Sequence, residues 1–206
     1  MSSFFENTRK PVGNGGRLMT IMMNRGHAAM AKWGFSHITP QKTDQALDVG
    51  CGGGANLVRL LAICSDGHVT GVDYSEISVE KSKKLTGTAI CSGKCQVLQA
   101  DVAALPFAKN SFDLVTAFET VYFWPKIERT FDQVFRVLKP GGIFLICNEA
   151  DGRNIKDARW TEKIPGMTIY NAEEFTALLQ SVGFTDLRID NDEKRHWLCV
   201  TAQKPR

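Results

Sequence analysis

The sequence lacks any long apolar run. Its longest uninterrupted apolar stretches, Leu60–Cys64 and Ile143–Cys147, are far shorter than the roughly 20 residues that a membrane-spanning helix needs. The first residues, Met1–Pro11, mix Ser, Glu, Asn, Arg and Lys where a secretory signal would need an apolar core. We therefore predict no membrane partner and a cytoplasmic location.

The sequence also lacks blocks of like charge. Its 25 basic and 22 acidic residues give a net charge of +3, and they are distributed without a basic stripe that could follow a phosphate backbone. The Asn/Asp-Pro-Pro-Tyr/Phe pattern of amino-methylating DNA enzymes is absent where Glu119-Thr120-Val121-Tyr122 stands. We therefore predict no nucleic-acid partner.

Cysteines are present without the spacing of a metal site. The closest pair, Cys91 and Cys95, has no further Cys or His nearby to complete a tetrahedral zinc site. A chain of 206 residues, 43% of them apolar, can bury a core without disulfides, so we expect reduced thiols and no metal. This length predicts one main domain.

Short apolar runs alternate with helical patterns along most of the chain. Strands buried on both faces and joined by helices are typical of a parallel sheet, so the order predicts an α/β fold with a doubly wound, Rossmann-like, mostly parallel sheet of seven strands that ends in an antiparallel hairpin. Helices are expected at 57–64, from Ser75, at 126–139 and at 171–183, where Asn171 and Glu174 form a capping box and Gly183 stops the helix. The expected strands are 46–49, 69–72, 96–98, 114–118, 143–147, 186–189 and 196–202.

Two segments fall outside this alternation. Residues 1–44 are predicted to form a helical cap or lid, with Leu18, Ile21, Met22, Ala28 and Ala29 at near-helical spacing, and residues 45–206 form the ligand-binding domain. A packing helix without a lid role remains an alternative. The connection 149–170 is long for such a fold, and long connections often cover sites.

A glycine cluster follows the first predicted strand. In Asp48-Val49-Gly50-Cys51-Gly52-Gly53-Gly54 a strand runs into a turn and then a helix, which is where a ligand can approach the main-chain N–H groups. Gly50, Gly52 and Ala55 also fit the dinucleotide pattern G-x-G-x-x-G/A, so a nicotinamide-dependent oxidoreductase is one alternative.

Acidic residues lie at or near the ends of the first five predicted strands. The carboxyl ends of parallel strands meet at the ligand crevice, where these carboxylates would repel a pyrophosphate but favour a cation with a ribose. S-adenosylmethionine is a cation of this kind and has no phosphate. The five acids are Asp48, Asp73, Asp101, Glu119 and Glu149.

Taken together, four motifs resemble those of the class I S-adenosylmethionine-dependent methyltransferases. The resemblance covers residues 45–150, and the chain is most similar to members that act on small molecules, such as the quinone C-methyltransferases. The motifs are Leu47–Gly54, Val72–Ser75, Gln99–Val102 together with Leu105–Phe107, and Arg136–Gly142.

The resemblance implies S-adenosylmethionine as cofactor and a role for each matching residue. Gly50, Gly52 and Gly54 would lie against the methionine part, and Asp48 would hold its ammonium directly or through water. Further along the chain, Asp73 would accept from both ribose hydroxyls, Tyr74 would cover the adenine, Asp101 and the Val102 N–H would contact the adenine edge, and Phe118 and Glu119 would complete the pocket.

In-line methyl transfer needs alignment more than a dedicated base. The candidate catalytic residues are Glu119, Tyr122 and His27, with Glu149 and Tyr170 as further candidates for a base. The predicted function is methyl transfer to a small-molecule acceptor, with a homodimer left open. A non-catalytic S-adenosylmethionine-binding module is the remaining alternative.

Overall fold

The computed structural model describes residues 27–154 and 157–206, apart from the side chain of Ala158. Seven strands form one sheet in the order β3-β2-β1-β4-β5-β7-β6. Strands β1 to β5 are parallel, and β7 lies antiparallel between β5 and β6. The predicted fold class is therefore confirmed. In chain order the strands are β1 Gln45–Val49, β2 His68–Asp73, β3 Cys95–Gln99, β4 Phe112–Phe118, β5 Leu138–Asn148, β6 Thr185–Asp192 and β7 Trp197–Gln203.

Helices cover both faces of the sheet. One face carries Met30, Leu57 and Leu60, and the other carries Phe131 and Phe175, all of which are buried. The helices are α1 Ala28–Phe35, α2 Ala55–Ile63, α3 Glu76–Leu85, α4 Gly87–Cys91, α5 Ile127–Val137, α6 Ala158–Lys163 and α7 Ala172–Val182, with single 3-10 turns at Val102–Ala104 and Val121–Phe123. None of the helices in the described ranges is long and apolar enough to cross a membrane.

The clearest helix signal in the sequence is confirmed. At the start of α7, Asn171 accepts from the Glu174 N–H and the Glu174 carboxylate accepts from the Asn171 N–H, while Gly183 ends the helix with φ 106°. Ser75 precedes α3 in an extended conformation, but no side-chain capping hydrogen bond is present at this position.

Several predicted boundaries were wrong. Helix α5 ends at Val137 rather than 139, because Leu138 already pairs with Phe112 and β5 continues through Pro140-Gly141-Gly142. Strand β6 extends to Asp192, so the hairpin turn lies later than the predicted 190–194. The short helix α4 was missed because it buries no residue and so has no apolar stripe.

The segment before β1 is described only from residue 27. Helix α1 buries Met30, Ala31 and Gly34 against β5 and β7, whereas the predicted stripe residue Ala29 is exposed. An added Cβ at Gly34 would lie 2.7 Å from Cys147 Sγ, so glycine allows this close approach. The predicted residues Leu18, Ile21 and Met22 lie outside the described residues.

Candidate active site

One cavity of about 250 Å³ lies at the carboxyl ends of the parallel strands. Ligands in open α/β sheets bind at this edge. The cavity brings together the turn after β1, the ends of β2 and β4, the segment after β3, and the start of α1. Of the predicted site residues it is lined by His27, Gly50, Gly52, Asp73, Tyr74, Asp101, Val102, Phe118 and Glu119.

The glycine turn packs tightly against its neighbours. Gly50 has φ 76°, and an added Cβ would lie 2.2 Å from Thr120 Oγ1, so the Thr120 side chain would have to move. Gly52 has φ 53°, but an added Cβ there would meet nothing nearer than the Gly50 carbonyl oxygen at 4.0 Å. Gly52 thus exposes backbone to the cavity, and a side chain there would occupy ligand space.

Asp73 is held by the backbone around it. Its Oδ2 accepts from the Gly52 N–H at 2.9 Å and its Oδ1 accepts from the Ser75 N–H at 2.8 Å. A carboxylate has about four acceptor positions, so each oxygen retains capacity for one further donor. Burial raises the pKa of Asp73, and the two backbone hydrogen bonds oppose this shift. The cradle therefore fits a ligand that presents two adjacent hydroxyls.

Tyr74, Asp101 and Val102 lie beyond Asp73 on the β3 side of the cavity. Tyr74 is exposed, and Asp101 Oδ1 accepts from the Ala103 N–H at 2.9 Å. Asp101 therefore fixes the 3-10 turn that begins with Val102. This end of the cavity is open and is formed by the Tyr74 ring and by the main chain of the 3-10 turn.

Asp48 and Gly54 do not line the cavity. The Asp48 side chain is buried within β1 and accepts from Thr116 Oγ1 at 2.7 Å. Burial raises the pKa of Asp48 to about 7, a shift that the Thr116 hydrogen bond partly offsets. Gly54 caps α2 with φ 83° and packs against Ser82. Asp48 and Gly54 therefore support the glycine turn from the side that faces away from the cavity.

At the β4 and β5 end, three segments distant in sequence meet. His27 Nδ1 lies 3.2 Å from Glu149 Oε1 and 3.8 Å from Glu119 Oε2. These three side chains offer one nitrogen and two oxygens within 4.8 Å of one another, a donor set that can also hold a divalent cation. We name His27, Glu119 and Glu149 the acidic cluster.

Glu119 is the most constrained member of the acidic cluster. Its backbone has φ 56°, which is rare for a residue with a side chain, and its N–H donates to the Cys147 carbonyl at 3.0 Å. Its Oε1 accepts from the Glu149 N–H and from the Tyr122 hydroxyl. Burial raises the pKa of Glu119 to about 7, although the charge of His27 opposes the shift.

Tyr122 lies behind Glu119 rather than in the cavity. Its hydroxyl donates to Glu119 Oε1 at 3.0 Å and accepts from the Ala150 N–H at 3.1 Å, and the ring is buried. Burial raises the pKa of Tyr122, and the charge of Glu119 raises it further. Tyr122 therefore joins the segments after β4 and β5. Tyr170, the other tyrosine candidate, packs on Phe175 on the face covered by α7.

Burial lowers the pKa of His27, but the hydrogen bond with Glu149 and the charges of Glu119 and Glu149 outweigh it, so the net shift is upward. His27 precedes α1, and its side chain is 27% exposed at the cavity wall. His27, the residue that precedes α1, thus contributes to the site.

Several lining residues were missed in the sequence. Arg59 reaches the cavity from α2, where it donates to Asn56 Oδ1 at 3.0 Å, and Thr120 contacts both Gly50 and the Trp124 ring N–H. Arg59 lies four residues after Ala55 and three after Asn56, so helical spacing from the start of α2 could have identified it.

Comparison with known proteins agrees with this geometry. Residues 47–146 match the family described as "Methyltransferase domain". The chain is 32% identical over 154 residues to the sterol 24-C-methyltransferase erg-4 of Neurospora crassa, covering 70% of this chain and 40% of the relative. It is 37% identical over 123 residues to the cycloartenol-C-24-methyltransferase 1 of Oryza sativa, covering 55% of this chain and 36% of the relative. The chain thus spans well under half the length of these relatives.

Solved structures share the whole fold. A methyltransferase in complex with the Trm112 methyltransferase activator of Haloferax volcanii superposes with a TM-score of 0.85 at 21% identity, covering 100% of this chain and 99% of that one. The phosphoethanolamine N-methyltransferase 2 of Haemonchus contortus, bound to S-adenosylhomocysteine, gives 0.77 at 16% identity, covering 100% of this chain and 61% of that one. At these identities the likeness establishes the fold.

The site and the family match define a class of protein. The chain belongs to the class I S-adenosylmethionine-dependent methyltransferases. S-adenosylmethionine is the cofactor of this class, as predicted, and the nicotinamide alternative is not supported. The residues fit this cofactor, since Gly52 leaves space beside the backbone and Asp73 retains two acceptor positions.

Proposed function

We propose that the protein transfers a methyl group from S-adenosylmethionine to a small-molecule acceptor by in-line displacement. The observation that carries this proposal is that a single cavity contains the Gly52–Asp73 cradle at one end and Glu119 with His27 at the other. A cofactor and an acceptor would therefore face each other in one space. Holding two reactants in register contributes about 7–11 kcal/mol in the best cases.

Each residue of the cradle has a proposed role. Asp73 binds both ribose hydroxyls, and the turn containing Gly50 and Gly52 lies along the methionine part. Tyr74 covers the adenine, with Asp101 and the Val102 N–H at the adenine edge and Phe118 closing the opposite side. When bound, the cofactor supplies an electrophilic methyl group on a sulfonium. Asp48 and Gly54 act from behind the turn, and Asp48 reaches the ammonium through water.

The acidic cluster accepts the proton that the acceptor loses. Glu119 takes a proton from the acceptor, which its raised pKa suits because a base works best near the working pH. Tyr122 is a positioning residue, since its hydroxyl holds Glu119 Oε1 and leaves Oε2 on the His27 side. His27 balances the charge of Glu119 and Glu149 and closes the wall of the cavity.

The relatives favour an apolar acceptor. The reported sequence relatives are named for C-24 methylation of sterols or of cycloartenol. Aromatic side chains, Phe118, Phe123 and Trp124, line the same cavity and suit such a surface. The quinone subgroup, a homodimer, a cytoplasmic location and the absence of nucleic-acid partners remain predictions.

Calorimetry tests the cofactor half of this proposal, and methyl transfer tests the catalytic half. We expect micromolar binding of S-adenosylmethionine and no heat with NAD⁺ or NADP⁺. Labelled methyl groups from S-adenosylmethionine should appear in a compound of a metabolite extract only when the protein is present. Binding without any transfer would support the non-catalytic alternative, and nicotinamide binding would overturn the proposal.

A further inference from the structure

Within the part of the chain that the structure describes, the acidic cluster holds more acidic than basic groups. Glu119 and Glu149 both approach His27, and among residues 27–154 and 157–206 no other basic side chain forms an ion pair with either of them. Arg59, which also lines the cavity, donates to Asn56 on α2. Among the described residues, one imidazole therefore faces two carboxylates.

The acidic cluster lies on the far side of the cavity from the cofactor cradle. Asp73 ends β2, whereas Glu119 follows β4 and Glu149 follows β5, in the strand order β2-β1-β4-β5. Neighbouring strands are about 4.8 Å apart, so Glu119 lies roughly 10 Å across the sheet from Asp73. This inference rests on the proposed function, in which Asp73 holds the ribose and the acceptor lies beyond it.

Methyl transfer changes the charge of an acceptor in a way that depends on its chemistry. An acceptor lone pair or π bond forms the new bond to the methyl carbon while the carbon–sulfur bond breaks and its electron pair stays on sulfur. An anionic acceptor, such as a phenolate or a thiolate, becomes neutral. An uncharged nitrogen or a carbon–carbon double bond becomes a cation, and an N–H or C–H proton can then pass to a carboxylate.

Electrostatics distinguish these two classes of acceptor. Charges interact more strongly near a protein surface than in bulk water, so carboxylates at the acceptor position repel an anion and stabilise a developing cation. We propose that the acceptor is an uncharged nucleophile, an amine nitrogen or an alkene carbon, which becomes positively charged on methylation beside Glu119 and Glu149. The rings of Phe118 and Phe123 line the same cavity and add cation–π attraction.

A pair of aromatic probes of opposite charge tests this proposal. Benzyltrimethylammonium and benzoate are titrated by calorimetry into the full chain saturated with S-adenosylhomocysteine, which has no sulfonium charge, in buffer containing EDTA. We expect the ammonium to bind at least tenfold more tightly than benzoate, and E119Q to weaken ammonium binding about tenfold. E173Q is the control, because Glu173 is 72% exposed and pairs only with Arg153 in the described chain.

The outcomes separate this proposal from the proposed function. Three outcomes would overturn the proposal: benzoate binding as tightly as the ammonium, no binding of the ammonium, or an ammonium affinity of E119Q within twofold of the parent. In each case, binding of S-adenosylhomocysteine would leave the proposed function standing. Failure of S-adenosylhomocysteine itself to bind would overturn the proposed function.

Turnover then assigns the nucleophilic atom. N,N-dimethylbenzylamine and 1-methylcyclohexene, an alkene without a heteroatom, are compared with p-cresol and thiophenol by release of S-adenosylhomocysteine. Faster methylation of the amine supports nitrogen, and faster methylation of the alkene supports alkene carbon. Preference for p-cresol or thiophenol over both would contradict the proposal.

Discussion

At the β2 end of the cavity, Asp73 is fixed by main-chain N–H groups of its own neighbourhood, Gly52 and Ser75. At the β4 and β5 end, Glu119 is fixed by Tyr122 and by Glu149, and it faces His27 from a segment 92 residues earlier. The proposed cofactor end is thus held by main-chain donors within 21 residues of Asp73, whereas the other end joins segments up to 122 residues apart in sequence. An end whose carboxylate is held by backbone groups suits one fixed cofactor, whereas the side chains at the other end can differ between proteins that act on different acceptors.

The largest expected effect is at the cofactor end. Asp73→Ala removes the acceptor of two ribose hydrogen bonds, each worth about 1.5–3 kcal/mol when charge-assisted. We expect at least about a 100-fold loss in S-adenosylmethionine affinity, measured by calorimetry. Asp66→Ala, at an exposed position, should retain the parent affinity. A D73A affinity within threefold of the parent would remove Asp73 from the proposed site.

At the acceptor end, Glu119→Gln should act on turnover rather than on cofactor binding. Loss of a general base costs about 100-fold or more in rate, while the cofactor affinity should stay within about threefold. Turnover is measured as S-adenosylhomocysteine release on an acceptor found by screening. An equal loss in cofactor affinity would place Glu119 in the cofactor subsite instead.

The pH profile separates the base from its positioning residue. Burial raises the pKa of Glu119 to about 7, so activity should rise through neutral pH as the carboxyl loses its proton. His27, Glu149 and Tyr122 face this carboxyl, and the hydrogen bond from Tyr122 lowers its pKa. Tyr122→Phe should therefore cut turnover about tenfold and move the profile to higher pH. A profile that does not move would leave Tyr122 a purely structural role.

Within the glycine turn, one substitution should act mainly on stability and the other mainly on cofactor binding. Gly50→Ala places a Cβ 2.2 Å from Thr120 Oγ1 at φ 76°, so we expect a loss of about 2–3 kcal/mol in the free energy of unfolding. Gly52→Ala has open space and should cost only about 1 kcal/mol for its backbone conformation, yet weaken cofactor binding. Urea unfolding and calorimetry measure both. Equal destabilisation by the two would contradict the tight packing assigned to Gly50.

The smallest expected effect is a pH dependence of stability. The pKa of Asp48 rises from 3.8 to about 7 on folding, chiefly through burial, so the folded chain binds an extra proton between these values. Its contribution to stability is full below about pH 4 and is lost as the pH rises through 7. Asp48→Asn should flatten the decline of cofactor-free stability between pH 6 and 7 by about 1 kcal/mol in urea unfolding. An unchanged slope would contradict the shift.

The sequence predicted the sheet well because its strands and helices depend on contiguous residues, and it predicted that glycines and acids lie at the ends of those strands. The alternation of strands and helices and the capping box at Asn171 and Glu174 are local patterns, and the structure confirms them. The end of α5 was misplaced because Leu138 pairs with Phe112, a contact that no local pattern encodes. Tyr122 was predicted as a candidate catalytic residue, but the 3-10 turn directs its hydroxyl behind the Glu119 carboxylate.

What the sequence by itself determined was the class I methyltransferase fold and the glycine and acid motifs at the strand ends. Their spacing fixes local geometry, and parallel strands bring their carboxyl ends to one edge. Only the tertiary structure decided that His27 meets Glu119 and Glu149, that the Asp48 side chain is buried outside the cavity, and that Arg59 reaches the cavity. Such contacts depend on how the helices dock on the sheet, and that docking is set by packing between residues far apart in the chain.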